Sequence, residues 1–167
     1  GVRKGKGELY DFIRETNGTI FINKDYEYLL RMSKGIHFQI TYGTANAETT
    51  GHLIKSEPFL KVEITSNDVI DIIETHLVGD YNLPNVLAAV SVGQYFHVPA
   101  EKIKQALENY QPSNSRSQLI ESGTNKIILD AYNANPSSMK LAIENFARMH
   151  AEKKILMLGG MAEMGEA

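Results

Sequence analysis

Cysteine is absent from this chain, which excludes disulfide scaffolds, thiolate catalysis and cysteine-held metals. That absence also suits a reducing compartment. No apolar run approaches the ~20 residues that cross a bilayer, so no membrane span is expected. Basic residues are not in excess: 17 Lys and Arg stand against 20 Asp and Glu, for a net charge of −3. Nucleic acid and anionic membranes are therefore not expected partners. Anionic small substrates stay open, because a site needs only local positive charge. The histidines are scattered without a metal-ligand spacing, so His37, His52, His76, His97 and His150 read as surface or structural residues and no metal site is expected. Neither a G-x-S-x-G elbow nor a G-x-x-x-x-G-K-[ST] phosphate loop occurs. The opening residues 1–7 are basic but lack the apolar core of a signal peptide, and there is no initiator Met. The chain reads as a piece of a longer protein.

What is present can fold. Hydrophobic residues make up 43% and charged residues 22% of 167 positions, enough for one ordinary domain or the abutting parts of two. Leu9, Phe12 and Ile13 recur at helical spacing over residues 8–16, and Asn17-Gly18 ends that helix. Residues 19–22 read as a buried strand. Asp25 is the expected cap of a short helix carrying Tyr28, Leu29 and Met32. Residues 37–42, 60–64 and 69–75 read as further strands. From Gly79 onward the pattern lengthens. A helix is expected from Asn82 or Pro84 to about Phe96, with Leu83, Val86, Leu87, Val90 and Tyr95 apolar. A second spans 100–109, with Ile103, Ala106 and Leu107 inward. The polar stretch 111–115 is the expected domain joint. After it, strand 126–129, a helix from about Ser137 to His150 and strand 154–158 read as one βαβ unit, which implies a parallel sheet.

In such sheets ligands bind beyond the carboxyl ends of the strands. Asp130 follows strand 126–129, where its carboxylate can accept bonds from ribose hydroxyls or simply cap a loop. Asn133 and Asn135 offer amides that suit peptides, carboxylates or base edges; Asx-turn chemistry before a helix explains them equally. Asn82 and Asn85 share one face at a helix start, where an amide can read a base edge or cap the helix. Arg116, at the joint, is either a phosphate partner or a solvated surface residue. From these residues alone the chain is an α/β nucleotide-binding candidate.

Four ordered segments resemble the Mur ligase family. Residues 79–89, G-D-Y-N-L-P-N-V-L-A-A, are similar to its G-x-H-N-x-x-N-x-x-A-A segment, with Tyr81 where the family usually has His. Arg116 follows Gln111-Pro112 where the family has an Arg at the end of its ATPase domain. Residues 130–139, D-A-Y-N-A-N-P-S-S-M, are similar to a stretch of the member that adds D-alanyl-D-alanine. Residues 158–165 resemble its G-D-M-x-E-L-G, with Gly160 in place of the Asp.

The resemblance implies an α/β fold: residues 1–113 as the later part of a central, mixed-sheet ATPase domain, and 114–167 as the beginning of a Rossmann-like C-terminal domain that opens with its first βαβ. It implies a bacterial, cytoplasmic, ATP-dependent ligase of peptidoglycan synthesis that joins D-alanyl-D-alanine to UDP-N-acetylmuramoyl-tripeptide through an acyl phosphate. ATP and Mg2+ are the implied cofactors, with the metal ligands and the catalytic residues outside this chain, which alone is expected to be inactive. Asn82, Asn85, Arg116 and Asp130 are then expected at the nucleotide, and Asn133 and Asn135 at the acceptor dipeptide. A sibling Mur enzyme or a folylpolyglutamate-type amide ligase would share this architecture. A non-catalytic α/β nucleotide-binding domain would explain the missing phosphate loop but not the four ordered segments.

Overall fold

The computed structural model describes residues 2–65, 72–113 and 115–161, with side chains from residue 5 onward. Helix α1 (Val2–Glu15) begins earlier than expected and stops where expected. Asn17 takes a left-handed φ of 51° and Gly18 N–H bonds Ile13 O at 2.9 Å, an αL-type helix end. The face α1 buries is not the expected one. Tyr10 and Ile13 pack on Ile20, Ile22 and Ile36, while Leu9 and Phe12 are exposed. Strand β1 (Thr19–Asn23) and helix α2 (Glu27–Met32) follow as anticipated.

Asp25 does not cap α2. The N-cap is Tyr26, which makes no side-chain cap bond. The Asp25 carboxylate instead accepts the Thr44 N–H and hydroxyl, each at 3.0 Å, and so ties the end of the next strand to this loop. A carboxylate can serve any nearby donors, and here the tertiary ones win over the local helix end.

Strands β2 (Phe38–Gly43), β3 (Thr49–Lys55), β4 (Lys61–Ile64) and β5 (Ile72–Glu74) complete a five-stranded sheet in sequence order. Of the expected strand 69–75, residues 69–71 lie outside the described residues. β1 and β2 run parallel, as do β2 and β3, whereas β3–β4 and β4–β5 are antiparallel. Parallel neighbours usually need a crossover of a dozen or more residues. β2 and β3 avoid it because only Tyr42↔Thr49 and Gly43↔Thr50 pair, so residues 44–48 merely step the chain sideways.

Strand β3 was not anticipated, and the reason lies in Gly51. A Cβ there would stand 2.6 Å from Leu87 Cδ2 and 2.9 Å from Glu63 O. Glycine weakens the strand pattern in sequence, yet here it lets the next helix rest directly on the sheet. That helix, α3 (Leu83–Tyr95), packs across β1, β2 and β3, and α4 (Ala100–Asn109) packs on α3 and β5. Val62 and Ile64 of β4 join Leu60, Ile73, Val86, Leu87, Val90 and Ile103 in the main core. Leu107 packs at its edge as expected, but Ala106 is exposed.

The second part differs more. Strand β7 (Asn125–Leu129) forms, but its ladder partner is β6 (Gln118–Ser122), antiparallel, in a hairpin not anticipated. Helix α5 (Pro136–Arg148) follows. Residues 154–158 then form no strand, and Ile155 and Met157 are 82% and 90% exposed. The mixed α/β class stands, but the expected βαβ unit is not closed in this structure. An apolar run carries a strand signal in sequence, whereas a strand also needs a ladder partner, and among the described residues β7 pairs only with β6. Lys154 meanwhile donates to the carbonyls of Phe146, Ala147 and Met149 at 2.7–3.4 Å, where a cation offsets the negative end of α5.

Replacing Gly51 by Ala should destabilise the fold by about 1–3 kcal/mol through overpacking. Gly159→Ala, with nothing within 4 Å of the added methyl, should stay within about 0.5 kcal/mol of the parent. Urea unfolding midpoints of the two variants provide the comparison, and equal midpoints would contradict the seating of Leu87 on β3.

Candidate functional site

The turn before α3 sets the first half of the site. Gly79 has φ +92°, a region open mainly to glycine, and a Cβ there would lie 2.3 Å from Tyr81 Cε1. The absent side chain is thus what allows the Tyr81 ring to lie against the turn. Residues Asp80–Asn82 form one 3-10 turn leading into α3. Asn82 is buried, its Nδ2 donating to Val78 O at 2.9 Å and its Oδ1 accepting Asn85 Nδ2 at 3.0 Å. It makes no side-chain cap bond, so its amide is committed internally rather than to the helix end. Asn85 is exposed, and its Oδ1 makes no hydrogen bond among the described residues. A free carbonyl of this kind can accept an exocyclic amine of a base.

The second half lies where the joint meets the hairpin. Ser115 and Ser117 both adopt left-handed φ, 57° and 49°. Ala131 N–H bonds Ser115 O at 2.8 Å, and the Ser117 N–H donates to Asp130 Oδ1 at 3.2 Å. The loop-capping role that sequence left open for Asp130 is therefore real. One N–H leaves a carboxylate with further acceptor capacity, so a ribose hydroxyl can still be served. Arg116, exposed between the two serines, lies 3.8 Å from the Tyr132 ring centroid. Among the described residues it has no carboxylate partner, so its charge stays available to an anion.

Tyr81 joins the halves, and sequence had marked it only as a departure. Its hydroxyl lies 2.7 Å from Ser117 Oγ. Burial pushes the phenol above its ordinary value, the nearby carboxylates of Asp130 and Asp80 add to that, and the Ser117 bond opposes it. The structure thus assembles Tyr81, Ser117 and Asp130, with Asn82 and Asn85 on the adjoining turn and Arg116 beside Ser117.

The amide loop is built mainly on local bonds. Asn133 Oδ1 accepts the Ala134 N–H at 2.8 Å. Asn135 is the N-cap of α5, in a reciprocal box with Ser138: its Oδ1 accepts the Ser138 N–H at 3.0 Å and its N–H reaches Ser138 Oγ at 3.3 Å. Both amide oxygens are committed to backbone, which leaves the Nδ2 groups as donors. No group of three or more His, Asp or Glu stands together as a metal cradle among the described residues. A cleft of about 510 Å³ lined by Lys55, Phe59, Lys61, Glu74, His76 and Glu108 holds none of the expected site residues. Its charges are largely satisfied internally, with Lys61 and Glu74 at 2.6 Å.

Two charged contacts tie the second part back to the first. Arg148 pairs with Asp80 at 2.7 Å. Glu57 receives the His150 backbone N–H at 2.8 Å and faces its Nδ1 at 3.2 Å. Nothing in sequence pointed to either pair, because the partners are far apart along the chain.

Asn135→Ala should cost about 1 kcal/mol of stability, and Asn135→Ser clearly less, since Ser also caps; thermal melts of both variants test this. For Glu57, the His150 backbone bond, then the ring contact, hold the carboxyl below its ordinary 4.5. A depressed folded value means the contact contributes above the unfolded value and is lost as pH falls through the folded one. The His150 amide NMR signal should therefore titrate with a midpoint below 4.5, and Glu57→Gln should abolish that titration.

Comparison with known proteins gives these elements a family. A family model described as "Mur ligase middle domain" matches residues 1–93, and one described as "Mur ligase, glutamate ligase domain" matches residues 115–167. The UDP-N-acetylmuramoyl-tripeptide–D-alanyl-D-alanine ligase of Bacillus subtilis is 29% identical over 168 residues, covering 99% of this chain and 36% of that protein. The chain therefore spans about a third of that relative's length. Among solved structures, MurF from Acinetobacter baumannii superposes with a TM-score of 0.75 at 21% identity, over 89% of this chain and 33% of that one. MurF ligase from Thermotoga maritima in complex with ADP gives a TM-score of 0.67 at 17% identity, over 79% and 31%. At these identities the structures speak for the fold, while the matched models, covering both sides of the joint, make the chain a member of the Mur ligase family.

Proposed function

We propose that this chain is part of an ATP-dependent ligase that adds D-alanyl-D-alanine to UDP-N-acetylmuramoyl-tripeptide in peptidoglycan synthesis, and that it acts in the bacterial cytoplasm, where ATP is at hand. The observation that carries the reading is the similarity along 99% of the chain to a relative of that name. No helix among the described residues is long and apolar enough to cross a membrane. We divide the chain at the joint, with 1–113 belonging to the ATP-binding domain and 114–167 to the C-terminal domain.

In this reading the tripeptide carboxylate attacks the γ-phosphorus of ATP and ADP leaves. The amine of D-alanyl-D-alanine then attacks the acyl carbon, and phosphate departs as the amide forms. Asn85 Oδ1 accepts the adenine amine, with Asn82 holding Asn85 in place. Asp130 accepts from the ribose. Arg116 neutralises phosphate charge, and its stacking on Tyr132 limits the freedom it must give up. Asn133 and Asn135, their oxygens already committed, turn Nδ2 donors toward the dipeptide's carboxylate and carbonyls. The chemistry Mg2+ would supply is charge neutralisation at the transferring phosphoryl group.

In the full-length ligase carrying this chain, phosphate release from ATP should depend on D-alanyl-D-alanine, and a strict requirement for a different amino acid would refute the assignment. Asp130→Ala should raise KM for ATP about tenfold to hundredfold, the worth of a charge-assisted hydrogen bond. Asn133→Ala should raise KM for D-alanyl-D-alanine and leave that for ATP nearly unchanged. Equal losses for both substrates with a lowered melting temperature would make Asn133 purely structural.

A further inference from the structure

We propose that Tyr81 is a positioning residue for the nucleotide: through Ser117 its hydroxyl holds the Asp130 carboxylate in register with the base-reading amides on α3. This rests on the reading of Asp130 as the ribose partner, and it concerns a residue that departs from the family's usual His.

Adenine and ribose are parts of one rigid ligand, yet the residues assigned to them come from separate elements. Asn85 sits on α3, and Asp130 ends β7 beyond the joint. A tenth-of-a-nanometre slip between those elements would serve one group at the expense of the other. Something must fix their separation, and the structure offers a short rigid path. Asn82 is bonded to Asn85 and adjoins Tyr81 in the same 3-10 turn. Tyr81 reaches Ser117 Oγ at 2.7 Å, and the Ser117 N–H reaches Asp130 Oδ1 at 3.2 Å.

Each step of that path is stiff. The Tyr81 ring lies against Gly79, where no larger residue could stand without a 2.3 Å clash. Ser117 is 5% exposed and has a left-handed φ of 49°, a conformation that a non-glycine residue keeps only when its surroundings hold it. Its hydroxyl faces Tyr81 and its N–H faces Asp130. Burial and the Asp130 and Asp80 charges raise the phenol above its ordinary value, so its proton stays in place beside Ser117 Oγ. An imidazole at position 81 could not reach as far, since the tyrosine hydroxyl lies beyond the span of a five-membered ring. Ser117 is therefore the natural partner for this chain's longer side chain.

Tyr81→Phe keeps the ring and deletes only the hydroxyl, and it is measured in the full-length ligase. We expect KM for ATP to rise about threefold to tenfold, the worth of one neutral hydrogen bond, with kcat within about twofold. The ATP analogues lacking the 2′ or the 3′ hydroxyl give the decisive readout. With the analogue missing the hydroxyl that Asp130 serves, parent and variant should have equal KM. Hydrogen exchange at the Ser117 amide should also quicken in the variant, while the Val62 amide in the core stays protected. Asp130→Ala serves as the reference. If it raises KM for ATP but Tyr81→Phe does not, or if the variant loses equally on all three nucleotides, the positioning role is overturned and the ribose reading survives. If Asp130→Ala leaves KM for ATP unchanged, the ribose reading fails and takes this role with it. Unchanged exchange at Ser117 overturns the proposal by itself.

Discussion

Helix α3 lies on the sheet at a distance that β3 permits only because no side chain rises from Gly51 beneath Leu87. Nearly everything else is arranged around that contact. Leu87, Val86 and Val90 fill the core with Leu60, Val62, Ile64 and Ile73, so the strands are held by the helix as much as by their ladders. With α3 seated, its first turn is set in space, and the Gly79–Asn82 turn arrives at one place beside the joint. The position of the candidate site thus follows from a packing constraint on its far side.

The site itself is economical in free polar atoms. Asn133 and Asn135 each commit an amide oxygen to backbone N–H groups, and Asp130 accepts a backbone N–H. Structural and ligand-facing roles are therefore not alternatives for these residues. A side chain anchored through one atom presents its remaining atom in a fixed direction, which lowers the entropy lost on binding. Arg116 differs, being held, among the described residues, only by the face of Tyr132.

Elements that are local were legible: the αL end at Asn17-Gly18, the periodicity of α3 and the Asn135–Ser138 cap each need only a few neighbouring residues. What was hidden depended on partners. β3 was missed because its Gly51 breaks the strand pattern, and the reason for a glycine there lies in α3. β6 was missed and 154–158 overread because a ladder is a property of two segments. Asp25, expected at a helix cap, serves Thr44 instead. At the site, residue types were readable but their connection was not: Ser117 carries no motif, and only its contact with Tyr81 reveals why a tyrosine can stand there.

The described links between the second part and the first, Tyr81 with Ser117, Asp80 with Arg148 and Glu57 with His150, are made by hydroxyls and charges. Parting such links exposes polar groups that water accepts, so the links themselves contribute little to a heat-capacity change. Water and dissolved ions can take over each partner as it is released. Contacts of this chemistry hold at nearly constant cost across temperature, while waxy ones would grow stickier or looser on warming or cooling.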